Sequence, residues 1–385
     1  MFAKRYKRRL EVQKDQGLYR NPPQIQKRDG CHCYISGRRI LSFASNDYLG
    51  ISALKNINEK ICENYRKYPT SSSSSRLVSG NYSAINEAEE VYANYFGYDE
   101  ALFLPSGYQA NLGIISTFFE KGDTIIFDKQ IHASSVKGMT MSGASLKGYR
   151  HNNMGHLEKR LNKSDREKTA VLTESLFSME GDLLKTEDFA GLKEEYNFLS
   201  VVDEAHAFGV LGEKGRGIAG NTADIALGTF GKAFGLFGAF VLMPKDFKDY
   251  LFNFASPLIY STALPEAHAA SVLDLLEFVG GCDEKRAGLS QKSSYMRSLL
   301  ETEGFKAKGD AHIISVEIGE EGRAVEICRE LLKNDILAFS ARYPTVPRGR
   351  AIIRLGMSVL HHDKDIKEFV EKLKKAAIKC NHSIK

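Results

Sequence analysis

Nothing in these 385 residues approaches the ~20 consecutive apolar residues that a bilayer-spanning helix needs. The start of the chain lacks the apolar core of a secretory signal, and Glu11 and Asp15 argue against a transit peptide. Cysteine is sparse. Cys31, Cys33, Cys62, Cys282, Cys328 and Cys380 are scattered along a chain far too long for a disulfide-stapled scaffold, so a reducing cytoplasm is the expected setting. No second pair follows Cys31-His32-Cys33 at zinc-ligand spacing, which predicts ordinary strand residues and no metal. His361-His362-Asp363 reads as a solvated turn, because adjacent histidines point to different sides of a chain. Neither sign of charge dominates: 53 basic residues against 48 acidic ones leave a net +5, interspersed, with no indication of nucleic acid. Repeats at solenoid periods are missing, and low complexity is confined to a presumed loop, Ser71 to Ser75. One local charge excess, Lys4, Arg5, Lys7, Arg8 and Arg9, shares a helical stripe with Phe2, Tyr6 and Leu10, predicting a helical arm with a solvated face.

What is present is core-forming sequence. At 43% hydrophobic the chain can fill two domains. Apolar, β-branched runs at Ala101 to Leu104, Thr124 to Phe127, Thr169 to Thr173, Phe198 to Val202, Ile225 to Thr229 and Gly238 to Met243 alternate with helical patterns. That alternation predicts βαβ units around a buried, mostly parallel sheet. Helix-like segments at 266–279 and 285–303, then His312 to Ile318, 322–334, Ala351 to Leu355 and 363–378, suggest a smaller C-terminal α/β domain. The expected division is an arm and short strand at 1–45, a large domain at 46–282 and a small one at 283–385.

Asp203 ends an apolar run typical of a central parallel strand, so its carboxylate should emerge where open α/β sheets bind ligands. Downstream, Lys232 stands in Thr229-Phe230-Gly231-Lys232-Ala233-Phe234-Gly235, a loop of small and apolar residues in which burial would lower the amine's pKa. A lysine that can hold an aldehyde as a Schiff base, and a carboxylate that can keep a pyridine nitrogen protonated, are what pyridoxal phosphate chemistry requires. The chain must turn after Asp203 if His206 is to reach the same ligand. Asp203-Glu204-Ala205-His206 also occurs in helicases, but no G-x-x-x-x-G-K-[ST] phosphate loop precedes it. Ser106, between a strand and an apolar helix, is placed to cap that helix and leave backbone N–H groups for a phosphate.

Together with Ser45-Asn46-Asp47-Tyr48-Leu49-Gly50, Ser106-Gly107-Tyr108, His132-Ala133-Ser134, Phe177 to Asp182, Gly212 to Gly217 and Pro344-Thr345-Val346-Pro347, these segments resemble the α-oxoamine synthases. The resemblance runs from about residue 17 to 375. It implies the aspartate aminotransferase-like fold, the large domain binding pyridoxal 5'-phosphate. It also implies a homodimer and an acyltransferase that condenses an amino acid with an acyl thioester while releasing carbon dioxide. On matching positions, Lys232 would carry the cofactor, Asp203 would pair with its ring nitrogen, His206 would bond its phenolic oxygen and His132 would stack on its ring. Gly107, Tyr108, Thr229 and a partner subunit's Thr262 would surround the phosphate, with Ser178 near the ring. Arg354 would bind the amino acid carboxylate, Arg20 and Thr345 would contact substrate, and Asn46 and Glu174 are further candidates. Length, Leu258 to Pro265 and the Pro-Thr-Val-Pro turn favour L-alanine and a pimeloyl thioester, as in biotin synthesis. Glycine with another acyl group, on CoA or acyl carrier protein, stays open, as more remotely does amino transfer. Two positions depart from the family: a serine-rich loop at Thr70 to Arg76 replaces a glycine-rich one, and Ile85 stands where histidine is common.

Overall fold

The computed structural model describes residues 2–381, which form two compact units: residues 51–177 with 183–283, and residues 2–50 with 178–182 and 284–381. The larger unit is built on a seven-stranded sheet. Its strands, in spatial order, are Glu100–Leu104, Ala239–Met243, Ile225–Thr229, Leu199–Asp203, Thr169–Glu174, Thr124–Asp128 and Ser145–Tyr149. The five from Ile225–Thr229 to Ser145–Tyr149 pair in parallel, and Ala239–Met243 runs antiparallel to both its neighbours. Val202, Ile225, Leu227 and Val241 are almost wholly buried, as expected of strands covered on both faces. Helix Gly107–Phe118 and helix Ala133–Ser142 pack against each other where Gly138 faces Ile115; a Cβ at 138 would sit 2.8 Å from the Ile115 Cβ.

Beneath the loop after Ile225–Thr229 lies a cluster of rings: Tyr92, Phe96, Phe103, Phe208, Phe230, Phe234 and Phe240. Gly228 makes room for it, since a Cβ there would lie 2.2 Å from the Phe240 ring.

The smaller unit has two four-stranded sheets. One orders Lys27–Asp29, His32–Ile35, Arg38–Ser42 and Ile336–Leu337, the last pairing parallel to Arg38–Ser42. The other is antiparallel, in the order Ala307–Lys308, Ile313–Gly319, Ala351–Gly356 and Phe339–Ala341. Helices Glu321–Lys333 and Asp363–Lys379 belong to this unit. The segment 178–182 joins it tightly: Gly181, with φ +78°, leaves no room for a side chain, because a Cβ would meet the Ile313 carbonyl oxygen at 2.1 Å.

Helix Phe2–Asp15 forms as its stripe predicts, with no buried residue. One expectation fails. His361 is not in a solvated turn but fully buried, stacked 4.2 Å from Phe43, donating from Nε2 to the Ser42 carbonyl at 2.9 Å and accepting the Ser358 N–H at 3.1 Å. Because neighbouring side chains diverge, His361 turns inward while His362 caps the helix Asp363–Lys379.

Candidate active site

The strand Leu199–Asp203 stops at Asp203, and the chain turns at once: the Ala207 and Phe208 N–H groups both donate to the Glu204 carbonyl at 2.8 Å. The turn separates two adjacent acids. Asp203 stays half-buried at the strand's carboxyl end, its Oδ1 accepting the Ala205 N–H at 2.9 Å and its Oδ2 the Asn111 Nδ2 at 2.8 Å. Glu204 points into the protein, where its Oε1 accepts the N–H groups of Ala219 at 2.7 Å and Ile218 at 3.1 Å, and its Oε2 accepts the Ser175 hydroxyl at 2.5 Å. Burial raises the Glu204 carboxyl to about 7 against the pull of those donors, with a small push from Asp203. Gly212 and Gly217, both at positive φ, let the backbone wrap this acid; a Cβ at 217 would lie 2.6 Å from Glu204 Oε1.

His132 caps the helix Ala133–Ser142, and its Nδ1 lies 2.7 Å from Ser134 Oγ and 3.3 Å from Ser134 N. The residue keeps an exposed face, yet enough packed chain surrounds the imidazole for desolvation to lower its pKa; Asp203 opposes this and Lys232 adds to it. Ser134 and Asn111 link His132 to Asp203 by hydrogen bonds, and His132, Asp203 and Lys232 lie at or just beyond the carboxyl ends of three parallel strands of one sheet. Lys232 is itself half-buried between the buried Phe230 and Ala233. Its loop is closed by Phe230 N–H to Gly238 O at 2.9 Å, Leu236 N–H to Phe230 O at 2.9 Å and Gly235 N–H to Lys232 O at 3.1 Å. Thr229 Oγ1 accepts the Gly231 N–H at 3.1 Å and donates to the Gly238 carbonyl at 3.0 Å. His206 is buried within the turn after Asp203.

Ser106 caps the helix Gly107–Phe118, its Oγ accepting the Gln109 N–H at 3.2 Å. The N–H groups of Gly107 and Tyr108 have no acceptor among the described residues, and Tyr108 is exposed. The exposed Thr262 pairs with Ser75 in an isolated antiparallel bridge. The serine-rich loop has a structural role: Ser72 Oγ donates to the Ala263 carbonyl at 2.7 Å, and Arg76 pairs with buried Glu89 at 2.6 Å.

Other candidates belong to the smaller unit. Arg354, in the fully buried strand Ala351–Gly356, donates from Nε to the Ser178 carbonyl at 2.6 Å and from Nη2 to Asn46 Oδ1 at 3.2 Å. No carboxylate of the described residues pairs with this buried guanidinium. Thr345 is exposed in a turn closed by its N–H to the Arg342 carbonyl at 2.9 Å; Arg342 in turn donates to the Tyr19 carbonyl at 2.8 Å, beside Arg20. Glu174 is buried, adjacent to Asp203 in the strand register of the larger unit. Motif reading gave no role to Asn111, to Ser134 within His132-Ala133-Ser134, or to the inward-facing Glu204; a buried amide in an apolar helix was the one available signal.

A family model described as aminotransferase class I and II matches residues 38–373. The chain belongs to that family. It is 35% identical over 375 residues, 95% of each chain, to a protein of Bacillus mycoides (strain KBAB4) named "Putative 8-amino-7-oxononanoate synthase". A solved serine palmitoyltransferase variant from S. paucimobilis with a bound PLP-myriocin aldimine is 25% identical, with a TM-score of 0.90 over 98% of this chain and 97% of that one. A solved 8-amino-7-oxononanoate synthase from Francisella tularensis is 29% identical, with a TM-score of 0.77 over 88% and 98%. Within the class I and II aminotransferase family the chain is therefore an α-oxoamine synthase with the aspartate aminotransferase-like fold. It is a PLP-dependent enzyme of the acyltransferase type. The larger unit fits that cofactor: an anchored carboxylate, a half-buried amine and a helix N-terminus with two uncommitted N–H groups suit a pyridinium, an aldehyde and a phosphate.

Proposed function

We propose that the enzyme condenses L-alanine with a pimeloyl thioester, releasing carbon dioxide and the thiol, to give 8-amino-7-oxononanoate in biotin synthesis. The observation that carries the reading is the clustering of Asp203, His132 and Lys232 at the carboxyl end of the sheet. Pyridoxal phosphate, when bound, supplies an aldehyde that takes up an amine and a ring that draws electrons from the adjacent carbon. Lys232 would hold the aldehyde between turnovers and, once its amine is free, take the proton from the alanine Cα. Asp203, kept in place by Asn111, would hold the proton on the ring nitrogen. His206 would bond the phenolic oxygen, while Gly107, Tyr108, Thr229 and a partner subunit's Thr262 would hold the phosphate. His132 would cover the ring face and donate a hydrogen bond to the thioester oxygen as negative charge grows there. Ser178 would lie near the ring. Arg354, lacking an acidic partner among the described residues, would take the alanine carboxylate in a bidentate pair, with Asn46 beside it. Arg20 and Thr345 would contact the acyl substrate. The name carried by the 35% identical relative supports this choice of substrates.

We read the protein as a cytoplasmic homodimer, its acyl group carried by CoA or acyl carrier protein; among the described residues no helix is long and apolar enough to cross a membrane. The high structural similarity to serine palmitoyltransferase favours a second reading, the same condensation with a different amino acid and acyl chain. Thiol and carbon dioxide release, measured with alanine, glycine and serine against pimeloyl, acetyl, succinyl and palmitoyl thioesters, decides between them. Turnover with alanine and pimeloyl thioester is expected to dominate; equal or faster turnover with another pair would overturn the first reading.

A further inference from the structure

We infer that Asn111 and Ser134 are positioning residues that tie the Asp203 carboxylate and the His132 ring into one hydrogen-bonded chain, and that this chain fixes His132 as the Nε2–H tautomer. Two fixed ends set the directions: the Asp203 carboxylate, which accepts, and the Ser134 backbone N–H, which can only donate. Asp203 Oδ2 can only accept, so the group 2.8 Å away on Asn111 must be the amide nitrogen. That nitrogen has two hydrogens and spends the second on Ser134 Oγ at 3.1 Å. His132 Nδ1 lies 2.7 Å from that hydroxyl, which must donate to it because the Ser134 backbone N–H already fixes Nδ1 as an acceptor. The Ser134 N–H lies 3.3 Å from the same nitrogen. Two donors converge on Nδ1, so Nδ1 carries a lone pair and the proton sits on Nε2.

The chain is rigid by construction. Asn111 and Ser134 are 3% and 0% exposed, too little for water to replace either partner. They stand on the two helices that pack through Gly138, so the chain's geometry is set by a helix–helix contact rather than by a loop. Desolvation of the imidazole favours its neutral form, which two donors at Nδ1 require. His132 thus offers its Nε2–H as a ready donor and has no basic nitrogen left to take a proton from substrate. Asp203, bonded at one oxygen by Asn111 and at the other by the Ala205 N–H, holds its carboxylate in one orientation. The consequence for catalysis rests on the function proposed above, whereas the chain itself does not.

Full-length protein labelled with ¹⁵N-histidine tests this directly. Its ten histidines are assigned at position 132 by comparison with His132→Asn, and spectra are taken near neutral pH with and without pyridoxal phosphate. The expected wild-type spectrum shows His132 neutral and protonated on Nε2. Ser134→Ala should shift the tautomer ratio toward Nδ1–H by about fivefold, the worth of one neutral hydrogen bond. Asn111→Ala should move it the same way by less, because the Ser134 hydroxyl then loses only its orienting donor. A wild-type His132 that is protonated on Nδ1, or doubly protonated, overturns the inference without any variant. So does an unchanged ratio in both variants when their circular dichroism matches wild type. If the expected spectra appear but the protein takes up no pyridoxal phosphate, the functional reading falls and the hydrogen-bonded chain stands.

Discussion

Glu204→Gln is a measurable contest between burial and hydrogen bonding. Two backbone N–H groups and a serine hydroxyl donate to the Glu204 carboxyl, which favours its ionised form, yet burial wins and raises its pKa from 4.5 to about 7. An acid whose folded pKa lies above its unfolded value binds more protons when folded. Its stabilisation is therefore complete below about pH 4.5 and is lost as pH rises through 7. The shift corresponds to roughly 3 kcal/mol. At about 2.1 cal/mol/K of unfolding entropy per residue, a chain this long melting in one transition would shift by roughly 4 °C. Glutamine keeps the acceptor facing Ile218 and Ala219, offers Ser175 an amide and does not titrate. Melting of the apo-protein and of Glu204→Gln, scanned in parallel from pH 5 to pH 8, should show the variant gaining on wild type by most of that amount, about 3 °C, as pH rises. Other titrating groups are common to both proteins and cancel in the difference. A difference that stays flat across this window, or runs the other way, would mean that the donors win and Glu204 is ionised throughout.

Arg354→Lys keeps the charge but loses the planar fork, so kcat/KM for the amino acid should fall on the order of 10- to 100-fold in steady-state assays, with the bound-cofactor absorbance unchanged. Arg76→Ala leaves Glu89 buried with Lys248, at 3.1 Å, as its one ionic partner among the described residues and should cost about 3 kcal/mol, read as a lowered melting temperature and easier proteolysis in the serine-rich loop. Gly181→Ala places a Cβ against the Ile313 carbonyl at positive φ and should destabilise by about 3 kcal/mol in denaturant titration. His361 and His268, each lowered to about 4 by burial, bind fewer protons folded than unfolded. Their stabilisation is full above about pH 6.5 and lost as pH falls toward 4, so His361→Gln should flatten the melting profile on that acid side.

The parallel strands were legible because burial on both faces leaves an apolar run such as Phe198 to Val202, and Asp203 marked its end by breaking that run. Ser145–Tyr149 was not legible: it is an edge strand in which only Tyr149 is buried, so its sequence reads as loop. Nor does a run like Ala239–Met243, buried at all five positions, reveal whether it runs with or against its neighbours. Lys232 and Asp203 stood out through their settings, while Arg354 was noticed only by resemblance, since an arginine inside Ile352-Ile353-Arg354-Leu355 carries no periodic signal of its own. Asn111 is the sharper case. Its meaning lies in a 2.8 Å contact with a residue 92 positions away, and no local pattern encodes that.

The ring cluster under the loop 229–238 has a mechanical consequence. Phe230 and Phe234 are sunk to zero exposure on either side of Lys232, and cross-loop bonds clamp the backbone between them. The lysine is therefore a long flexible stem on a fixed mount. On the function proposed above, its amine would release one partner and return to it by rotation about side-chain bonds alone, with no excursion of the main chain, and the amides of 230 and 236 should exchange with solvent as slowly as those of the central strands.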